Sequence, residues 1–510
     1  MTNRDVEAAW SYHDGTKHSW QSIHSDSHFL DFPNQPLPFK VYEELEPLPL
    51  PRDFSNTGVE ALSAIAGRVG GAGDGELDLR GLASVLYYSA GITKKGAYPG
   101  GEILFRAAAC TGALYHVEVY LVCGPLAGLE PGVYHFGAHD FALRRLRRGD
   151  YRAALVEACG YEPSVASAPA SLVLTSTFWR NSWKYRARAY RHCFWDSGTM
   201  LANTLAVSTA RGIEARVVAG FADGAVNHLL GLDTEREVSL AVVPLGKGSP
   251  GCPAPPPMPD LDLKTAPLSP TEVEYPAIGA IHSASSLATG REARAWRASA
   301  PGPSTKAASG PLKALQSLAD GAGDTIEGTI ARRGSSRQFR REAVTLPQLS
   351  TILHRSTQGI PADFLEPPGA MLNRIYLIVH AVDGLASGAY VYRREEGALE
   401  LLDEGEMRRV AGFLGLQQAL PADASVDVFM LADLPEVLDR YGNRGYRAAQ
   451  LEGGIVGGKM YLAAYAQRLG ATGLTFFDDD VTEFFSPDAL GLSTMFLVAL
   501  GKPARRRSRR

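Results

Sequence analysis

A run of cations and hydroxyls, Arg332-Arg333-Gly334-Ser335-Ser336-Arg337-Gln338-Phe339, follows the helical-looking stretch Thr325 to Ala331. Arginine brings forked, charge-assisted donors and serine a short hydroxyl donor, a combination that can hold a phosphate. A solvated helix end would carry the same residues. Lys184-Tyr185 is a candidate of another kind, a proton acceptor. Either side chain serves as a base only if its pKa is lowered, and Arg186, Arg188 and Arg191 stand near enough in sequence to do this electrostatically. Two amphipathic residues covering a domain edge would read alike.

Two other groups carry less. His13 and His18 flank Thr16-Lys17 in a polar arm, with no cysteine or carboxylate at metal-ligand spacing, so surface histidines and no metal site are expected. Asp478-Asp479-Asp480 cannot turn three consecutive carboxylates toward one ion, which points to a solvated loop or a charge cluster at a helix N-terminus.

The elements that must position these residues occur twice. Tyr120-Leu121, Gly128-Leu129, Gly132 and Tyr134 return as Tyr376-Leu377, Gly384-Leu385, Gly388 and Tyr390. Tyr185, Arg188, Tyr190-Arg191, Gly198, Phe221 and Asp223 return as Tyr441, Arg444, Tyr446-Arg447, Gly454, Phe477 and Asp479, on the same offset (441 − 185 = 256). A shared register over so long a stretch means two copies of one domain, and the period is far beyond the roughly 20 to 50 residues of solenoid units. In the first copy the patterns predict a helix near 82–89, strands at 117–122, 132–136 and 171–178, a longer helix from about 196 to 210, and a last strand at 240–245. Strands and helices do not alternate and no strand-glycine-helix nucleotide fingerprint occurs, which favours an α+β fold. The expected organisation is an N-terminal arm (1–55), a first domain (56–246), a Pro/Ala/Ser-rich and partly packed linker (247–322), a second domain (323–502) and a basic tail (503–510).

Bulk properties agree. The 510 residues exceed what one core holds, 45% are hydrophobic and 21% charged, and the formal net charge of −4 gives no global attraction to nucleic acid or membrane. Arg505-Arg506-Arg507 and Arg509-Arg510 have no aromatic or glycine pattern beside them and read as a solvated tail. Five cysteines without close pairing fit a reducing compartment, and the polar N-terminus does not read as a signal peptide. With no apolar run of eighteen residues, a soluble cytoplasmic protein is expected.

The Arg-x-Ser-x-Arg-x-Phe segment resembles the phosphate-binding signature of the FMN-dependent nitroreductase superfamily, which implies that Arg333, Ser335 and Arg337 grip the FMN phosphate. The first copy's Arg106 to Tyr120, with Thr111-Gly112-Ala113-Leu114-Tyr115 at its centre, is similar to the Ser-Ala-Gly-Ala-Leu-Tyr-Pro segment of the SagB/ThcOx dehydrogenases, flavin oxidases of azole-forming peptide pathways. The likeness extends through Lys184-Tyr185, Arg188 to Arg191, the Asp196 to Asn203 helix start and Ala219-Gly220-Phe221-Ala222-Asp223. It implies that Lys184 and Tyr185 are catalytic, that Thr111, Gly112, Ala113, Gly220 and Phe221 contact FMN, and that two nitroreductase-like domains form an intramolecular pseudo-dimer, with further homo-oligomers open.

The departures divide the labour. Thr111 and His116 replace the family's serine and proline, and the first copy's counterpart of the grip, Gly67-Arg68-Val69-Gly70-Gly71, has one arginine. The second copy offers Glu366-Pro367-Pro368-Gly369-Ala370-Met371 in place of the Thr-Gly-Ala-Leu-Tyr loop and Arg440-Tyr441 in place of Lys184-Tyr185. One composite site follows, its grip from the second copy and its loop and base from the first, while Phe476 opposite Gly220 leaves the ring-side contact ambiguous. The implied activity is oxidation of a peptide-derived or small-molecule substrate, of the azoline-to-azole type, alongside other enzymes of a peptide-modification pathway. An NAD(P)H-dependent nitro or quinone reductase and a flavin-free scaffold are the alternatives.

Overall fold

The computed structural model describes residues 2–25, 29–67, 75–98, 101–248, 251–299, 308–318 and 324–504. Arg68 to Gly71 of the first copy's grip counterpart and the arginines of the tail lie outside them. Each half is built on an antiparallel sheet covered by helices. The first sheet runs, in spatial order, Pro47–Pro49, Ala142–Arg148, Gly132–Gly137, Val117–Cys123, Ala170–Thr177 and Glu237–Leu245. The second runs Phe339–Arg340, Ser493–Pro503, Val426–Ala432, Asn373–Val379, Gly388–Arg393, Ala398–Glu404 and Leu312–Ala314. Leu121 pairs with Tyr134 as Leu377 pairs with Tyr390, so the sequence repeat is a repeat of strand register. One apolar cluster passes through both halves, from Leu121 and Leu174 to Leu377 and Val428.

Two long helices, Ala189–Ala210 and Asn443–Ala466, cross at the centre and are buried almost throughout. The first begins seven residues before the expected Asp196 (196 − 189 = 7). Glycine in a helix costs about 1 kcal/mol, and here it lets two backbones touch. A Cβ on Gly198 would stand 2.6 Å from the Cα of Gly454, and one on Gly458 would stand 2.7 Å from the Cβ of Ala202.

Buried ion pairs lock the crossing reciprocally. Asp223 of the first half accepts from Arg444 (2.6 Å) and Arg447 (2.7 Å) of the second, and Asp478 of the second accepts from Arg188 (2.9 Å) and Arg191 (2.5 Å) of the first. The Arg444 guanidinium lies 4.6 Å from the Phe221 ring, and that of Arg188 lies 5.3 Å from Phe476. The repeat has therefore slipped to 255 here (478 − 223 = 255), and this corrects two expectations. Phe476 mirrors Phe221, not Gly220, and Asp478 rather than Asp479 mirrors Asp223. Asp478 is also not solvated: it is buried at the start of the helix Asp478–Phe484, while exposed Asp479 meets Lys17 at 2.9 Å.

The arm repeats as well, in a way no residue pattern signalled. Its helix Glu7–Gly15 has a counterpart, Pro276–Ala284, inside the Pro/Ala/Ser-rich stretch. His13 lies 3.4 Å from the Tyr446 hydroxyl and takes a bond from Arg191 on its carbonyl, while His282 lies 3.3 Å from the Tyr190 hydroxyl and takes one from Arg447. The spacing is 269 (282 − 13 = 269). Strand Pro47–Pro49 on Ala142–Arg148 is likewise matched by Leu312–Ala314 on Ala398–Glu404. His13, expected at the surface, is buried, and burial followed by Arg191 pushes its pKa well below the usual histidine value.

Candidate active site

Thr111–Ala113 makes a single tight turn between the strands Gly101–Arg106 and Val117–Cys123, with Gly112 at φ 63°. Asp196, on the first central helix, fixes this turn. Its carboxylate accepts from the Thr111 amide (2.9 Å) and hydroxyl (2.8 Å), from the Cys110 thiol (3.1 Å) and pairs with His116 Nε2 (2.8 Å). Glu452 of the second half (452 − 196 = 256) holds the amides of Leu372 and Asn373 in the same way. The donor atoms of Cys110, His116 and Asp196 lie within 4.8 Å of one another. They are already joined by hydrogen bonds, and burial, then Asp196, drives the Cys110 thiol well above its usual pKa.

Tyr185 closes over this turn. A Cβ on Gly112 would stand 2.9 Å from the Tyr185 hydroxyl, so glycine gives the phenol its place. The ring meets His192 edge-on at 4.5 Å. Burial first, then Asp196 and Cys110, pushes the Tyr185 pKa up while Arg337 opposes it, so this phenol keeps its proton. Lys184 lies in the last turn of the helix Phe178–Tyr185, half-buried, with its ammonium 5.3 Å from the Tyr185 ring. Its pKa is lowered by burial and then by Arg337. Of the arginines expected to act on it, Arg188 and Arg191 are bound to Asp478. The cation that does act comes from the other half.

The second half's Arg333 segment reaches the first at this place. Arg333 caps the helix Ile326–Arg332, is buried, and donates to the carbonyls of Ala107 (2.8 Å) and Arg106 (3.3 Å), next to the Cys110 turn. Ser335 meets the Tyr461 hydroxyl at 3.4 Å, and the buried Ser336 hydroxyl has no bonding partner among the described residues. From the strand Ile92–Tyr98 of the first half, Lys94 donates to the carbonyls of Arg332 (2.6 Å) and Arg333 (2.5 Å). Among the described residues neither Arg333 nor Lys94 meets a carboxylate. Burying cations without a counter-charge is costly, so a group carrying a phosphate suits this place. Lys184 and Tyr185 thus close over the Thr111–Ala113 turn, and Arg333 reaches the carbonyls just before that turn from the other half. Ser335 stays beside Tyr461, Arg337 acts on Lys184 and Tyr185 as a charge, and cations without a carboxylate partner fit the phosphate of FMN.

Gly220 and Phe221 do not join them. Their place is the pseudo-symmetric one, built around Tyr441, and the chain itself fills it. The helix Gly290–Arg297 sets Trp296 over Gly220, where a Cβ would come within 3.0 Å of the indole, and 5.2 Å from the Tyr441 ring. Arg297 donates to the carbonyls of Cys159 (2.7 Å), Gly160 (3.0 Å) and Gly220 (3.0 Å), and Asp363 accepts from the Gly220 amide (2.9 Å). Burial raises the Asp363 pKa to about 6. Lys94 and Trp296 escaped the sequence reading, and Asp196 entered it only as a helix start, not as the residue that holds the turn. Only Asp196 left a signal, an acid recurring as Glu452 on the 256 offset.

Two helix-covered antiparallel sheets sharing one apolar core suit a tandem nitroreductase-type oxidoreductase, and comparison agrees. The Nitroreductase family pattern matches residues 100–247 and 330–502, and the chain belongs to that family, in tandem form. It is 24% identical over 171 residues to the nitroreductase-named protein MJ1384 of Methanocaldococcus jannaschii, covering 34% of this chain and 81% of that one. It is 30% identical over 138 residues to the microcin B17-processing protein McbC of Escherichia coli, covering 26% of this chain and 50%, or half, of McbC. A nitroreductase-named crystal structure from Anabaena variabilis superposes with a TM-score of 0.76 at 26% identity, over 98% of this chain and 99% of that one. The two-domain architecture is therefore shared from end to end. No helix among the described residues is long and apolar enough to cross a membrane.

Proposed function

We propose that this oxidoreductase is an FMN-dependent dehydrogenase of the SagB/ThcOx type that oxidises a peptide-derived substrate, azoline to azole, in a reducing cytoplasmic setting and beside other peptide-modifying enzymes. The observation that carries the reading is Arg333 of the second half donating to the carbonyls of Ala107 and Arg106 just before the Thr111–Ala113 turn of the first, over which Tyr185 closes. The similarity to McbC, a microcin-processing protein, supports a peptide as substrate.

Azoline oxidation removes two electrons and two protons, one proton leaving with the electrons as hydride and the other as a free proton. FMN, when bound, would supply the hydride acceptor, with oxygen as the final electron acceptor. Lys184, neutral more readily than an ordinary lysine, accepts the proton from carbon, and the protonated Tyr185 hydroxyl orients the ring by donating to it. Arg333, Ser335 and Arg337 would hold the phosphate-bearing group, with Lys94 bracing the backbone of Arg332 and Arg333. In the other half Arg440 replaces the lysine, and arginine is effectively never a base. Anaerobic addition of a thiazoline peptide to FMN-loaded protein tests this. Bleaching of the flavin band and a thiazole product are expected, whereas bleaching by NAD(P)H alone, with the peptide unchanged, would transfer the site to nitro or quinone reduction.

A further inference from the structure

Asp196 does two jobs with one carboxylate. Its Oδ1 accepts from the Thr111 hydroxyl (2.8 Å), its Oδ2 faces the Cys110 thiol (3.1 Å) and His116 Nε2 (2.8 Å), and the Thr111 amide is shared between the two oxygens (2.9 Å each). The internal repeat shows that holding a turn needs only the first of these jobs. On the 256 offset (366 − 110 = 256) Glu366 and Leu372 stand where the first half has Cys110 and His116, and Glu452 holds its two amides with neither thiol nor imidazole. The thiol and the imidazole are therefore additions of the first half, and both converge on the oxygen that the Thr111 hydroxyl does not use.

A thiol sulfur, an imidazole nitrogen and a carboxylate oxygen within 4.8 Å of one another are the ligand types of a zinc ion that keeps its fourth position open. Zinc bonds of about 2.0 Å to nitrogen and oxygen and about 2.3 Å to sulfur set tetrahedral ligand atoms roughly 3.3 to 3.5 Å apart. Sγ and Nε2 need draw back from Oδ2 by only about 0.5 Å to reach that spacing. Each ligand is also held from behind, as metal ligands are by their outer partners. The Tyr115 amide donates to Cys110 Sγ (3.1 Å), Ser176 Oγ lies 2.8 Å from His116 Nδ1, and Thr111 holds the far oxygen of Asp196. Charge closes as well: zinc with one thiolate and one carboxylate is neutral, which suits a place where His116 and Asp196 are buried. The way in is from the turn, where Gly112 is exposed and Cys110 partly so.

We propose that the first half binds zinc(II) through Cys110 Sγ, His116 Nε2 and Asp196 Oδ2, with water in the fourth position, and that the metal ties the Thr111–Ala113 turn to the central helix. As the zinc–sulfur bond forms the S–H bond breaks and its proton leaves to solvent, the dication supplying the counter-charge that a thiolate beside Asp196 otherwise lacks. The imidazole keeps its one proton on Nδ1, toward Ser176, and no electrons move. The site does not rest on the proposed function, since neither flavin nor substrate contributes a ligand. The test titrates cobalt(II) into the full chain after chelator treatment. Red visible bands of tetrahedral cobalt, outside flavin absorption, should saturate at about one metal per chain and vanish when zinc(II) is added. Cys110→Ser should abolish the thiolate-to-cobalt band. His116→Leu, which copies Leu372 of the other half, should weaken cobalt binding beyond the roughly 10- to 100-fold that loss of an outer partner costs. In the wild-type chain, zinc should raise the thermal unfolding midpoint and should slow alkylation of Cys110, read by mass spectrometry, more than that of Cys252, the other partly exposed cysteine. Bands of unchanged affinity in both variants would put the metal elsewhere and overturn the proposal. So would the absence of bands together with unprotected Cys110, which would leave the cluster as hydrogen bonds alone.

Discussion

Gly198 and Gly454, 256 positions apart in sequence (454 − 198 = 256), face each other where the two central helices cross, and a Cβ on Gly454 would stand 2.7 Å from the Trp195 carbonyl oxygen. The pseudo-dimer turns on this contact. Gly198→Val places branched carbon against buried backbone that cannot yield, and overpacking of this kind costs about 1 to 3 kcal/mol or more. A lower thermal unfolding midpoint, with Gly198→Ala intermediate between wild type and Val, is the expected result by calorimetry.

The reciprocal carboxylates set an acid limit. Burial alone would raise the Asp223 carboxyl, but Arg444 and Arg447 outweigh it and hold the pKa at about 2. Asp478 is held below the carboxylate range by Arg188 and Arg191 against the same burial. A carboxyl whose folded pKa lies below the unfolded value of about 3.9 adds stability that is complete above that value and lost as pH falls toward the folded one. Denaturant midpoints should therefore drop between about pH 4 and 2. Asp223→Asn leaves two buried guanidinium groups without their counter-charge, a loss of about 3 to 5 kcal/mol, and should remove much of that slope.

Flavin affinity should depend on both halves. Arg333→Ala removes a charge-assisted donor and should weaken FMN binding on the order of 10- to 100-fold by flavin fluorescence titration. Lys94→Ala, in the first half, should weaken it too, because Lys94 braces the carbonyls of Arg332 and Arg333. An unchanged FMN affinity in Lys94→Ala would remove that residue from the site.

Lys184→Ala should retain flavin and lose turnover, separating binding from chemistry. In wild type the rate should rise with pH as Lys184 loses its proton, with the midpoint below the ordinary lysine value of about 10.4. Arg337→Gln removes the cation that lowers it, so the limb should move to higher pH. A limb that stays in place would show that Arg337 does not act on the base.

The sequence showed the duplication and the division of residues between halves because both rest on local motifs in a fixed register. Most strands were legible for the same reason, as apolar runs between turns. The carriers of long-range geometry were not. Nothing in Lys94 announces that it meets two carbonyls 238 and 239 residues onward. Trp296 sits in a proline- and alanine-rich stretch that reads as linker, because its helix gains its partners only when the halves pack. The one-residue slip between Asp223 and Asp478 was hidden by the Asp-rich run, where three neighbouring acids offered equal matches.

In the proposed arrangement each chain holds one composite flavin site, and Trp296 and Arg297 fill its pseudo-symmetric twin. Protein saturated with FMN, freed of excess, denatured and assayed by absorbance for flavin against chain concentration tests it directly. One FMN per chain, falling toward none in Arg333→Ala, is the predicted result; two per chain, or none in wild type, would contradict it.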